Sequence, residues 1–154
     1  MAVEIERKFL LTNDSWREIA EKGTRMSQGY LSRQRGRTVR VRVAGEQAWL
    51  TIKGESQGIS RAEFEYAIPV AEAEQLLELC EPSVIDKTRY AVPFGGHVWE
   101  VDVFHGENEG LFVAEIELAD ENESFEKPTW VGEDVSEDRR YANSVLSVTP
   151  FKAW

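Results

Sequence analysis

Only one cysteine, Cys80, occurs in the 154 residues, so no disulfide can form within the chain, which fits a reducing compartment. Cys80 sits in an apolar helical pattern and reads as core. Histidine is nearly as scarce: His97 and His105 stand alone near turns, read as surface residues, and no Cys/His set supports zinc. There is no apolar run of membrane length and no hydrophobic stretch of the signal-peptide kind at the N-terminus, so the expectation is a cytoplasmic protein with no membrane partner. Positive charge is also short, with 18 Lys and Arg against 28 Asp and Glu and a net charge of -10. That balance argues against a nucleic-acid partner, whose backbone requires a basic surface. The deficit is uneven. Residues 1–77 hold 12 basic against 11 acidic side chains, and residues 78–154 hold 6 against 17. A small polyanion therefore stays possible wherever the basic groups converge in one cavity. At this length one core is comfortable and two are not, so residues 1–154 read as a single domain.

What the chain does have is strict alternation. In Val3-Glu4-Ile5-Glu6-Arg7-Lys8-Phe9 successive side chains point to opposite faces of a strand, which groups Glu4, Glu6 and Lys8 opposite Val3, Ile5, Arg7 and Phe9. The spacing predicts this first strand over 2–11, a short helix from Trp16 to near Gly23 after the capping side chains of 12–15, and a second strand over 26–32. Gly29 in that strand marks a bulge or a close approach. The basic run Arg33 to Arg37 makes a turn. Thr38 to Val43 then sets Arg40 and Arg42 on one face, and Trp49 to Lys53 sets Lys53, with Thr51 and Trp49, opposite Leu50 and Ile52. In 61–69, Arg61, Glu63 and Glu65 lie opposite Ala62, Phe64 and Tyr66.

Val70 to Cys80 has helical spacing, with Leu76, Leu77 and Cys80 as the buried stripe of a helix packed outside a sheet. After a break at Pro82, the strand over 84–92 carries Lys87 and Arg89 on one face. Gly95-Gly96 signals a hairpin. The next two strands carry Glu100 with Asp102, then Glu115 with Glu117. Residues 120–127 read as a solvated acidic loop and 141–146 as a short terminal helix.

An ordinary barrel with its polar face in solvent would also alternate, but such faces usually mix neutral polar residues with charges. Here the second face carries full charges in pairs. Turned inward, it makes a barrel interior that cannot be dry, because unpaired buried charges cost several kcal/mol each. The interior must hold water, ions and a charged ligand. Clustered carboxylates suit Mg²⁺ or Mn²⁺, while Arg and Lys suit phosphate oxygens. Together they point to a polyphosphate bound with metal.

The residues also resemble a known family. Glu4-Ile5-Glu6-Arg7-Lys8 fits the ExExK signature of the CYTH domain, or triphosphate tunnel metalloenzymes. The likeness continues in order through Gln28-Gly29-Tyr30-Leu31, Arg40-Val41-Arg42, Leu50-Thr51-Ile52-Lys53-Gly54, Arg61-Ala62-Glu63-Phe64-Glu65, Lys87-Thr88-Arg89-Tyr90, Trp99 to Phe104 and Ala114 to Leu118. It implies a mainly β fold: an eight-stranded antiparallel closed barrel with a charged interior and a few external helices. By resemblance, Glu4, Glu6, Asp102, Glu115 and Glu117 coordinate Mg²⁺ or Mn²⁺, with Glu63 and Glu65 as further ligands or supporting carboxylates. Lys8, Arg40, Arg42, Lys53, Arg61, Lys87 and Arg89 grip phosphate oxygens, and Glu6, Lys8 and Lys87 join the catalytic set. Glu100 reads equally as a structural partner. Tyr30 reads as a tunnel-mouth or a packing residue, and Trp49 as packing.

The implied reaction is in-line attack of water on a terminal phosphoryl group, with Lys87 as base or the metal itself activating the water. Inorganic tripolyphosphate is the expected substrate. The alternatives are a class IV adenylate cyclase, a nucleoside or thiamine triphosphatase, and a polyphosphate-binding module without turnover. A homodimer is left open.

Overall fold

The computed structural model describes residues 3–80 and 84–154. The expected start of the first strand at residue 2 and the break at Pro82 lie outside them. Nine strands are described: β1 (Val3–Leu11), β2 (Thr24–Ser32), β3 (Thr38–Ala44), β4 (Gln47–Lys53), β5 (Ser60–Ile68), β6 (Ile85–Phe94), β7 (His97–Phe104), β8 (Phe112–Glu117) and β9 (Val131–Asp134). Helix α1 (Val70–Glu78) follows β5, and the single turn α2 (Asn143–Leu146) comes near the end. All pairings are antiparallel, in the order β5-β4-β3-β2-β6-β7-β8-β1, and β1 returns to β5 to close an eight-stranded barrel.

The closing seam is short. Val3, Glu4 and Ile5 pair with Ala62, Arg61 and Ser60, after which β1 takes the ninth strand, β9, on that side at Phe9 and Leu11. Nothing in Val131-Gly132-Glu133-Asp134 alternates, so β9 leaves no strand signal in the sequence.

The charged face of each strand turns inward and the core lies outside. Phe9, Trp99, Val101, Ala114 and Ile116 on the outer faces of β1, β7 and β8 are buried under Trp16, Leu118 and Trp130. Burial of each large side chain here contributes about 1.5–3 kcal/mol. A second outer cluster lies beneath α1, where Ala73 covers Val41 and Ala48, with Leu50, Leu76 and Leu77 at its margin. Gly29 explains itself at this contact, since a Cβ there would stand 2.6 Å from the Cβ of Cys80.

At one end the inward faces change character. Leu10, Ile85, Phe104 and Val113 occupy inward positions next in alternation to Lys8, Lys87, Asp102 and Glu115, and they pack with Val135, Tyr141 and Leu146. The C-terminal segment thus stoppers the barrel with an apolar plug.

Several sequence expectations change. Two outward residues of β5 find little cover: Phe64 is 45% and Tyr66 55% exposed, beside Ile52 at 38%. Alternation separates two faces but does not say which outer face a helix will reach, and α1 lies mainly against β2, β3 and β4. Arg7, grouped with the apolar face, lies half-buried and donates to Asp134 (3.2 Å). The helix expected from Trp16 to near Gly23 is one 3-10 turn, Ser15–Glu18, because Asn13 Oδ1 accepts from the Ser15 backbone and hydroxyl and fixes a local turn. The expected helix to Cys80 ends at Glu78. The acidic loop is not simply solvated, for Phe125 packs edge-on to Phe9 and Trp99. Among the described residues no helix is long and apolar enough to cross a membrane.

Candidate active site

Pleating brings inward charges from seven of the eight barrel strands, with Tyr30 from β2, together around a cavity of about 190 Å³. All seven expected cations line it: Lys8, Arg40, Arg42, Lys53, Arg61, Lys87 and Arg89. So do Glu4, Glu6, Glu63, Glu65, Glu100, Glu115 and Glu117. Asp102 does not. It lies fully buried behind the wall, where it accepts from Lys87 Nζ (2.7 Å) and takes the Arg89 fork through Nε (2.8 Å) and a terminal nitrogen (2.9 Å). With both oxygens committed, Asp102 aims two cations at the cavity. A second hollow of about 300 Å³ shares Glu4, Glu6, Lys8 and Arg61 and reaches a rim with Arg33, Arg35 and Arg139.

The charges are matched unevenly. Glu4 accepts from Lys53 Nζ (2.9 Å) and Arg61 Nε (3.1 Å). Burial pushes its pKa up, but Lys53, a hydrogen bond with Glu63 and Arg61 together outweigh burial and hold the carboxyl well below the usual range. Arg40 donates to Thr51 Oγ1 (3.2 Å) near Glu65, and its buried Nε has no hydrogen-bond partner among the described residues. Arg89 also lies 3.3 Å from Glu100 and 3.7 Å from Glu115.

Glu6 is the opposite case. It stands opposite Glu117 across β1 and β8, with Glu115 opposite Lys8 two residues along. Burial, then the neighbouring Glu115 and Glu4, push its pKa up to about 8 against the partial relief of Lys8 and Lys53. Burial and Glu4 likewise raise Glu117. Burial lowers Lys87 to about 7; Asp102 opposes this, while Arg89 and Arg42 add to it. Burial, with Arg40 and Arg89, brings Arg42 down to about 10.

Three site residues escape sequence reading. Gln28 is fully buried and accepts from Arg42 Nε (2.8 Å). Its position in alternation with Tyr30, which does line the cavity, is a signal that could have found it. Asn143 and the Tyr141 carbonyl come from the C-terminal segment, where they meet Lys87 (3.1 Å) and Lys8 (3.3 Å) with no strand pattern to announce them. Tyr30 is buried, which raises its pKa despite the facing cations. Trp49 lies outside the cavity lining. The histidines are partnered: His97 Nε2 lies 2.6 Å from Glu123 and His105 Nε2 lies 2.8 Å from Thr88 Oγ1.

The model of the CYTH domain family matches residues 2–150. The chain belongs to the CYTH domain family. It is 52% identical over 153 residues to an inorganic triphosphatase of Acetivibrio thermocellus, covering 99% of this chain and 97% of the relative. An inorganic triphosphatase of Nitrosomonas europaea is 36% identical over 150 residues, covering 95% and 97%. The crystal structure of an inorganic triphosphatase superposes with a TM-score of 0.66 at 34% identity, covering 94% of this chain and 97% of its own. A protein from Pyrococcus furiosus, at 18% identity over 77% of this chain and 80% of its own, shares the fold with a TM-score of 0.61.

Membership of the CYTH family implies a divalent cation. Among the described residues no three acidic, His or Cys side chains are already gathered into a coordination shell, because several acids are held by Lys and Arg. The donor chemistry nonetheless fits. Glu6 and Glu117 make no ion pair among the described residues and neighbour Glu115, giving hard oxygen ligands whose charge nearby cations only partly offset.

Proposed function

We propose that the protein hydrolyses the terminal phosphate of inorganic tripolyphosphate, giving pyrophosphate and phosphate, with Mg²⁺ or Mn²⁺. The observation that carries this reading is the convergence of seven cations on one small cavity whose carboxylate wall is left partly uncompensated at Glu6 and Glu117. Lys8, Arg40, Arg42, Lys53, Arg61 and Arg89 would spread along the phosphate oxygens, the arginines as planar forks and the lysines as point charges. Glu4, Glu6, Glu63, Glu65, Glu115 and Glu117 would hold the metal, with Asp102 orienting Lys87 and Arg89 from behind. When bound, a divalent ion supplies charge neutralisation on the phosphoryl oxygens.

Lys87 is the group to accept the proton of the attacking water. With its pKa brought to about 7, a large share of the amine is neutral at neutral pH, and its lone pair faces a cavity that it lines. The converging guanidinium groups stabilise the charge that develops as the water attacks in line with the leaving pyrophosphate.

The lining favours an inorganic chain over a nucleotide or thiamine ester. Tyr30 is its only aromatic side chain among the described residues, and no apolar shelf is offered to a base. The decisive assay follows phosphate and cyclic AMP across tripolyphosphate, ATP and thiamine triphosphate. Phosphate release fastest from tripolyphosphate is expected. Cyclic AMP as the main product from ATP, or tight binding of all three without turnover, would overturn the reading.

A further inference from the structure

The stopper at the end of the barrel also reaches into the cavity. Ala142, Asn143 and Ser144 line it, Asn143 Oδ1 accepts from Lys87 Nζ (3.1 Å), and the Tyr141 carbonyl accepts from Lys8 Nζ (3.3 Å). Two separate contacts thus join the C-terminal segment to two inward lysines.

The orientation of Asn143 is set from β2, the strand beside that of Lys87. A guanidinium only donates, so Arg42 Nε (2.8 Å) obliges Gln28 to present its oxygen. The Gln28 amide nitrogen must then donate, and it does so to Asn143 Oδ1 (3.0 Å). Asn143 is left with its oxygen facing both Gln28 and Lys87. Its amide nitrogen donates to no protein atom among the described residues.

We propose that Asn143 is a positioning residue for phosphoryl transfer, held in one orientation by the Arg42–Gln28 relay so that its Oδ1 fixes the direction of Lys87 Nζ. Lys87 has three substituent directions at nitrogen. Asp102 takes one (2.7 Å) and Asn143 a second, so the third is directed into the cavity, where the attacking water and the phosphate lie. Without Asn143 the nitrogen is free to rotate about its last carbon bond around the single anchor at Asp102. An error of this kind near the reacting atoms costs up to about a hundredfold in rate while leaving the phosphate grip intact. The inference rests on the proposed triphosphatase reading and deepens it.

The test uses kcat and KM for tripolyphosphate with Mg²⁺, alongside calorimetric binding of tripolyphosphate with Ca²⁺. Asn143→Ala should lower kcat by about tenfold to a hundredfold with KM and binding within about threefold of the wild type. Asn143→Asp keeps both acceptor contacts but its carboxylate raises the Lys87 pKa, so kcat read on the alkaline plateau should recover to within about threefold of the wild type while the added charge raises KM. Gln28→Ala severs the same relay, and Gln28→Ala with Asn143→Ala should be no slower than the worse single variant. Should Gln28→Ala fail to fold, the two Asn143 variants decide alone, since Asn143 is only half-buried. An active wild type with Asn143→Ala at full kcat, with equal plateau losses for Ala and Asp, or with multiplying losses in the double variant, overturns this inference and leaves the triphosphatase reading standing. A wild type inactive on tripolyphosphate overturns both.

Discussion

In the empty barrel Glu6 should carry a proton at neutral pH, and a divalent cation should displace it. Burial and the carboxylates Glu115 and Glu4 push its pKa up to about 8, whereas the metal requires the carboxylate. The sign follows directly. Raising the pH toward 8 frees the ligand, so the apparent dissociation constant for Mg²⁺ must fall with rising pH and level off above it. For one group with a pKa near 8, the occupied fraction of carboxylate rises from about one in a hundred at pH 6 to about half at pH 8. Apparent affinity should therefore gain about fiftyfold across that interval, equivalent to about 2.3 kcal/mol. Calorimetric titration of Mg²⁺ in two buffers of different ionisation enthalpy measures both quantities. Close to one proton should leave per metal near pH 6, and almost none near pH 9. Glu6→Gln should abolish the proton release and flatten the pH dependence. An affinity that does not change between pH 6 and pH 8 in the wild type would show that Glu6 is already ionised in the empty protein, and the account of an uncompensated carboxylate wall would fail.

The same reasoning makes Glu6 a stability cost. A raised folded-state pKa gives stability that is full below the unfolded value of about 4.5 and lost as pH rises through about 8, so at pH 9 metal-free Glu6→Gln should melt several degrees above the wild type while turnover disappears. Higher melting of the wild type would refute this. Glu117→Gln should also remove nearly all turnover with Mg²⁺ while far-UV circular dichroism stays unchanged; half the wild-type rate would sink its assignment to the metal. If Lys87 is the base, kcat should rise with pH through about 7, and Lys87→Arg, which cannot lose its proton, should be inactive but folded. A flat profile from pH 6 to 8 in the wild type would exclude that role. Arg42→Ala should weaken triphosphate binding in a folded protein, whereas Val41→Asp, fully buried beneath α1, should unfold it; a stable Val41→Asp variant would contradict the inside-outside order of β3.

That order was readable because a strand has only two faces. Once Glu4, Glu6 and Lys8 share a side, pleating fixes Val3, Ile5 and Phe9 on the other, and the same logic carried every inward charge from Arg40 to Glu117. Closure could be argued too, since no other surface tolerates so many charges facing one way. What alternation cannot encode is whatever lies across space from the strand. Asp102 shares the parity of Glu100 and Glu115, yet it is drawn behind the cavity wall because Lys87 and Arg89 occupy both its oxygens. Phe64 and Tyr66 have the pattern of a buried face, but their exposure depends on where α1 happens to lie. Strand β9 and Asn143 belong to segments with no periodic pattern, so their contacts come only from the folded chain.

A barrel that fills its inside with charge must take its stability from elsewhere, and the three apolar clusters show where. Two lie outside the wall, under Trp16 with Trp130 and under α1, and they leave the inward face free of any packing duty. The third lies inside, but only at one end, where Leu10, Ile85, Phe104 and Val113 replace charged residues and the C-terminal segment caps them through Tyr141 and Leu146. This placement affects the chemistry as well as the fold. Lys87 follows Ile85 on the inward face of β6 and pairs in register with Phe104, so the plug forms its floor and keeps water from it on that side. Burial there is the largest influence lowering its pKa. The segment that supplies Tyr141 and Leu146 to the plug also supplies Asn143 to Lys87 and the Tyr141 carbonyl to Lys8. Loosening the plug would hydrate Lys87, return its pKa toward that of an ordinary lysine, and release its second anchor in the same motion.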